Sequence, residues 1–233
     1  MSYLTFNNVK KNYEIGNDVV QALQSINFGI NEAEFTIVLG PSGSGKSTLL
    51  NLLGGMDTAT SGKIFVDGID VTSLNQHQLT DYRRHDVGFV FQFYNLIPSL
   101  SVYENVDMAA RLGRQSLDAK EILSSVGLEN RMKHFPAELS GGELQRTSIA
   151  RAICKNPKIL LCDEPTGALD SETGRMILSL LHKMSRDYRQ TVIVVTHNSL
   201  IAPAADKVIS IKDGKISDVQ INEQPISMGK VVW

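Results

Sequence analysis

The sequence predicts an α/β protein: a mostly parallel sheet covered by helices on both faces, with a helical subdomain inserted into it. Three observations carry this. Short continuous apolar runs recur at 35–39, 87–91, 159–162 and 191–195, as in strands buried on both faces. Stretches with helical spacing separate most of them, the pattern of a parallel sheet. Between about Val102 and His134 the alternation stops and only helical spacing remains.

Along the chain, Tyr3, Leu4, Phe6, Val9 and Tyr13 alternate in part, and a Gly16-Asn17-Asp18 turn leads to a second extended stretch through Ile30. Phe35 to Leu39 forms the first buried strand. A glycine-rich loop follows, and a helix from near Lys46 carries Leu49, Leu50, Leu52 and Leu53 to Gly54-Gly55. Residues 61–66 read as a strand before the Asp67-Gly68 turn. Val106, Ala109 and Ala110, then Ile122, Leu123 and Val126, mark helices of the insertion. Leu139-Ser140-Gly141-Gly142 precedes a helix to about Cys154. Ile177, Leu178, Leu181 and Met184 mark another helix starting near Ser171, and Asp213-Gly214 joins a final hairpin. The segment after Ser217 carries no pattern.

The 233 residues suit one large α/β domain, and 42% hydrophobic with 21% charged residues exclude disorder, collagen and a coiled coil. Net charge is −2, and the densest basic spots are the pairs Lys10-Lys11 and Arg83-Arg84, so no nucleic-acid partner is expected. No apolar run reaches the roughly 18–20 residues of a membrane span. The first seven residues do not resemble a secretory leader. Cys154 and Cys162 lack metal-site spacing and point to a reducing, cytoplasmic setting. Cys162, within an apolar strand, is expected in the core.

Gly40-Pro41-Ser42-Gly43-Ser44-Gly45-Lys46-Ser47-Thr48 matches G-x-x-x-x-G-K-[ST] between a strand and a helix. Glycines let backbone N–H groups wrap phosphate oxygens, and the helix adds its positive end. Lys46 would contact the terminal phosphates, and the Ser47 hydroxyl would ligate Mg²⁺. The strand at 159–162 ends in Asp163-Glu164. Asp163 would hold Mg²⁺ through its water shell, and Glu164 would polarise an attacking water as general base.

Leu139-Ser140-Gly141-Gly142-Glu143 closely resembles the L-S-G-G-Q signature of ATP-binding cassette (ABC) ATPases, and the likeness extends from Tyr3 to Ile216. It implies a P-loop NTPase core with an N-terminal antiparallel β subdomain, and ATP and Mg²⁺ as ligands. By this likeness the chain is a single ABC domain over 1–233, with its core at about 1–92 and 157–220. A helical signalling subdomain then spans about 93–156, and a tail about 221–233. Tyr13 corresponds to the aromatic residue that stacks on adenine. Gln92 corresponds to the loop glutamine that contacts Mg²⁺ and the attacking water, and His197 to the switch histidine at the γ-phosphate. Asp170, in Ala168-Leu169-Asp170, corresponds to the carboxylate linking the two nucleotide sites; capping the next helix, before Ser171 and Glu172, is the lesser alternative. Ser140 and Gly142, with Gly141 and Glu143, would face ATP held by a second copy of the chain. Glu143 stands where glutamine is commoner, and Asn198 where aspartate is common. His77, His85, His134 and His182 have no such context and read as surface or packing residues.

Leu49 to Asp57, Val87 to Gln92, Tyr94 to Pro98 and Glu164 to Asp170 further resemble the bacterial MacB/LolD branch. That likeness implies an ATPase that drives a membrane permease in export of macrolides or antimicrobial peptides, or in lipoprotein release. It would work peripherally at the inner face of the cell membrane. An importer's ATPase for small solutes, and a soluble ABC protein uncoupled from transport, are the alternatives. The single cassette, with no coiled-coil insertion and no basic patch, speaks against the soluble class. Phe93, Tyr94, Leu96, Ile97, Leu100, Val102 and Tyr103 either pack within the helical insertion or receive a helix of the permease.

Overall fold

The computed structural model describes residues 2–167 and 169–231; Ala168, quoted above with Asp170, lies outside them, as do the last two residues of the tail. In chain order the elements are β1 (Leu4–Ile15), β2 (Asp18–Ile30), β3 (Phe35–Leu39), α1 (Lys46–Leu53), β4 (Ser61–Val66) and β5 (Ile69–Asp70). Next come α2 (Gln76–His85), β6 (Val87–Val90), α3 (Val102–Ala110), α4 (Ala119–Ser125), α5 (Gly141–Ile153) and β7 (Ile159–Asp163). The chain continues with α6 (Ser171–Asp187), β8 (Thr191–Thr196), β9 (Lys207–Lys212) and β10 (Lys215–Ile221).

These strands form two sheets. The first is antiparallel in the order β2-β1-β4-β5, and the second runs β10-β9-β3-β8-β7-β6. In the second, β9, β3, β8, β7 and β6 are parallel, and β10 joins as an antiparallel edge. The expected α/β architecture is therefore present, with its antiparallel β subdomain and a run of helices α3 to α5 in the insertion.

Continuous apolar runs make sense because both faces of the parallel sheet are buried. Leu160, Cys162, Val192 and Val194 point into one core with α3 to α6. Their neighbours Ile159, Leu161, Ile193 and Val195 point into the other, which holds α1, α2 and the antiparallel sheet. Leu49, Leu50, Leu52 and Leu53 are at most 2% exposed, each worth about 1.5–3 kcal/mol of burial. Both cysteines are free and buried. Burial pushes the Cys154 thiol up to about 12 and raises Cys162 as well, which suits core residues rather than nucleophiles.

Two elements differ from expectation. α2 buries only Leu79 and Tyr82, too few to set up a helical period. Its signal is the cap: the Asn75 side chain accepts the Gln78 N–H, and the Gln78 side chain accepts the Asn75 N–H. The patternless C-terminal segment continues as strand to Ile221, then returns Met228 and Val231 to the core.

Register aligns the strand ends. Leu39 lies opposite Thr196, Asp163 opposite Val195, and Val90 opposite Cys162. The segments following β3, β8, β7 and β6 therefore leave along one edge, where ligands bind in parallel sheets.

Candidate nucleotide site

The loop after β3 is shaped by backbone contacts. Gly45 has φ +103°, and a Cβ there would lie 2.5 Å from the Ala22 carbonyl oxygen of β2. The Gly214 N–H donates to the Ser44 carbonyl (3.1 Å), and the Gln24 N–H donates to the Gly214 carbonyl (2.7 Å). The β9–β10 turn thus pins the loop against the antiparallel sheet. No side chain caps α1. Its first-turn N–H groups suit an anion, and the helix dipole reinforces this. Lys46 is 7% exposed, and its ammonium donates to the Gly40 and Pro41 carbonyls at 2.8 and 2.9 Å. A cleft of about 380 Å³ opens over Gly43, Lys46, Ser47 and Thr48 and is lined as well by Ala22 and Gly214. A cleft of similar size at the opposite sheet edge, between His85, Lys155 and Gln190, contains none of the loop.

The carboxylates meet this loop. Ser47 Oγ donates to Asp163 Oδ1 at 3.2 Å. These hard oxygen donors fit Mg²⁺, with water and phosphate completing its shell. Among the described residues no three His, Cys, Asp or Glu side chains cluster as a protein-only metal site. Burial raises the Asp163 carboxyl above its usual range and Glu164 adds repulsion, while Ser47 and Lys46 pull the other way. Glu164 adopts φ +46°. The Thr196 hydroxyl donates to its Oε2 at 3.0 Å, and His197 Nδ1 lies 2.9 Å from its Oε1. Gln92 is exposed and approaches from the β6 side: a Cβ on Gly167 would be 3.4 Å from its Nε2 and 3.6 Å from Glu164 Cβ. The structure thus gathers Ser47, Asp163, Glu164, His197 and Gln92 at one edge.

Tyr13 reaches the loop from β1. It lies beside the Thr48 hydroxyl, and its own hydroxyl donates to Asp57 Oδ2 at 2.7 Å. Burial and Asp57 raise its pKa. Lys11 Nζ sits 4.7 Å above the ring centroid and pairs with Asp57 at 2.6 Å. Asp57 ends one of the stretches that carry the branch likeness, but nothing in the sequence paired it with Tyr13 or Lys11.

The signature segment is elsewhere. Ser140 caps α5, and Glu143 completes a capping box by accepting from the Ser140 N–H and hydroxyl at 2.8 and 2.9 Å. A Cβ on Gly142 would lie 2.5 Å from Thr173 Cγ2, so α5 meets α6 closely there. Arg131, another residue without a sequence signal, donates to Glu143 Oε1 at 2.7 Å. The Arg131 hydrogen bond, then those from Ser140, hold the Glu143 carboxyl down at about 2. Among the described residues no side-chain hydrogen bond joins 139–143 to the loop at 40–48. Asp170 caps α6, accepting from the Glu172 and Thr173 N–H groups and the Thr173 hydroxyl. The aromatic stretch divides: Val102 is in the core, whereas Phe93 is 78% exposed. His182 packs edge-on against Phe35, as expected of a packing residue.

A glycine-rich loop opening an uncapped helix, with paired carboxylates two strands away, defines a P-loop nucleotide-binding protein of the α/β class. The sequence profile of the family described as "ABC transporter" matches residues 23–167, and the chain belongs to that family. It is 44% identical over 218 residues to the ABC transporter ATP-binding protein MJ0796 of Methanocaldococcus jannaschii, covering 90% of this chain and 93% of that protein. It is 43% identical over 218 residues to the macrolide export ATP-binding/permease protein MacB of Escherichia coli K12, covering 91% of this chain but 34% of MacB. A Mycoplasma pneumoniae relative, a putative ABC transporter ATP-binding protein, is 43% identical over 97% of this chain, which spans 49% of that protein. The structure of the MJ0796 cassette in a dimeric, post-hydrolysis state with ADP and Pi superposes with a TM-score of 0.87 at 40% identity, covering 95% of this chain and 99% of that one.

Proposed function

We propose that this chain is the ATP-binding and ATP-hydrolysing subunit of an ABC transporter of the MacB/LolD type, with ATP and Mg²⁺ as its ligands. The observation that carries this is the convergence of Lys46, Ser47, Asp163, Glu164 and His197 on one sheet edge, while the Ser140–Glu143 signature lies apart on α5. A signature that serves no site in its own chain suits a head-to-tail homodimer, each ATP lying between the loop of one copy and the signature of the other. The dimeric MJ0796 cassette supports this arrangement.

In this cycle the loop at 40–48 and Lys46 bind the phosphates, Ser47 and Asp163 hold Mg²⁺, and Tyr13 stacks on adenine. Glu164 takes the proton of the attacking water, Gln92 orients that water, His197 engages the γ-phosphate, and Asp170 links the two sites. ATP favours the closed dimer because its γ-phosphate touches both chains, and closure pulls on the permease. The helical stretch of about 93–156 relays this, with exposed Phe93 against a cytoplasmic helix of the permease. No helix among the described residues is long and apolar enough to cross a membrane. In this reading, attachment to the inner face of the membrane runs through the permease. The MacB likeness favours export or envelope extraction, of a macrolide, antimicrobial peptide or lipoprotein, over solute import.

The test is affinity capture of the tagged chain from detergent-solubilised membranes of its source, followed by mass spectrometry. A four-span subunit with a large extracytoplasmic domain is the expected partner. An importer-type permease would overturn the branch, and ribosomal or DNA-repair proteins would overturn the transporter role.

A further inference from the structure

We propose that Thr196 is a positioning residue for hydrolysis: its buried hydroxyl anchors one oxygen of the Glu164 carboxylate, and the Asn198 backbone orients that hydroxyl. This rests on Glu164 acting as the general base.

A threonine hydroxyl has one proton to give and lone pairs to accept with. The Asn198 N–H donates to Thr196 Oγ1 at 3.1 Å, and the hydroxyl proton is directed to Glu164 Oε2 at 3.0 Å. The Glu164 N–H donates to the Val195 carbonyl at 2.9 Å, so its main chain and side chain are both tied to the end of β8. Glu164 holds φ +46°, a conformation that persists in a non-glycine residue where its surroundings over-determine it.

The two partners of the carboxylate differ in freedom. Thr196 is 2% exposed and fixed by its pairing with Leu39 in the sheet. His197, on the other oxygen, has a side chain 68% exposed. When His197 turns to the γ-phosphate, Oε1 is released to accept the proton of water while Oε2 stays on Thr196. The Thr196 hydroxyl meets the Glu164 carboxylate and the Asn198 backbone rather than the loop at 40–48, so its contribution falls on turnover rather than binding.

The same geometry accounts for Asn198. Its side-chain oxygen accepts the Leu200 N–H at 3.0 Å and closes the turn that presents its own N–H to Thr196. Aspartate closes such a turn equally well, so asparagine here leaves the anchor intact.

The test compares Thr196→Val, which deletes the hydroxyl at similar volume, with Thr196→Ser, which keeps it. Thr196→Val should lower kcat about tenfold, as loss of an outer-shell hydrogen bond does, while the Kd for Mg-ATP by calorimetry stays at the wild-type value. Thr196→Ser should restore wild-type turnover. In gel filtration with Mg-ATP, Thr196→Val should accumulate the dimer. In a Glu164→Gln background, adding Thr196→Val should slow the residual rate no further. If Thr196→Val does not fold, Thr196→Cys, whose thiol is a weak donor, carries the same comparison. Wild-type kcat in the hydroxyl-deleted variant, or equal slowing in the Glu164→Gln background, would overturn the proposal. Full turnover by Glu164→Gln alone would instead overturn the general-base assignment beneath it.

Discussion

Two helix N-termini of this chain face phosphate in the proposed cycle, and they are finished in opposite ways. α1 starts after left-handed Gly45 with no side chain closing its first turn. α5 starts at Ser140 inside a complete capping box, and Glu143 is further held by Arg131. The first arrangement keeps backbone donors available for a ligand, with Lys46 against the loop carbonyls. The second satisfies the Ser140 and Glu143 N–H groups within the chain, whatever partner comes to face it. In the proposed cycle it would also bring a carboxylate toward the γ-phosphate, a charge that Arg131 offsets at 2.7 Å. One chain thus carries a receptive half-site and a self-contained half-site, a division suited to a site completed only on dimerisation.

The largest test of this division acts at the strand edge. Glu164→Gln should cut turnover by about 10²–10⁴-fold, the usual worth of general-base catalysis. ATP binding should survive, and a stable dimer should appear in gel filtration with Mg-ATP. A monomer under those conditions would break the comparison, because the α5 signature would then have no site to complete.

Next comes the receptive end. Lys46→Ala removes a charge-assisted contact worth about 1.5–3 kcal/mol, so calorimetry should show ATP affinity falling by about 10- to 100-fold. Unchanged affinity would contradict the phosphate loop assignment. The smallest effect is at the self-contained end. The Glu143 carboxyl is lowered from 4.5 to about 2, chiefly by Arg131. A depressed carboxylate stabilises fully above its unfolded value, and that stability is lost as pH falls through the folded value. Arg131 is half-exposed, so Arg131→Ala should cost about 0.5–1 kcal/mol at pH 7. In urea titrations the difference from wild type should shrink below about pH 4.5 and vanish near pH 2. A pH-independent difference would show that the guanidinium acts by packing alone.

Much of this site was legible before any coordinates. The loop at 40–48 and the Asp163-Glu164 end of an apolar run are contiguous, and their residue types follow from phosphate and metal chemistry. Gln92, His197 and the Ser140–Glu143 signature were placed by family resemblance, and each lies where a strand or helix end puts it. Asp170 caps α6, the lesser of its two expected roles, and that cap does not bear on the link between sites that the resemblance implies. The cap of α2 was also written in the chain, but with two buried apolar residues the hydrophobic pattern could not announce it.

The amino-acid order determined the kinds of element, the double-sided burial of the central strands and the chemistry of the contiguous loops. Each of these depends on residues within a few positions of one another. Tertiary structure decided which ends meet. By inserting β8 between β3 and β7 it brought Thr196 and His197 to Glu164, more than thirty residues back, and packing brought Ser47 to Asp163 across 116 positions. It also paired Tyr13 with Asp57 and Arg131 with Glu143. Strand order and side-chain pairing are set by the simultaneous burial of both faces of one sheet, a condition on the whole chain that no local window contains.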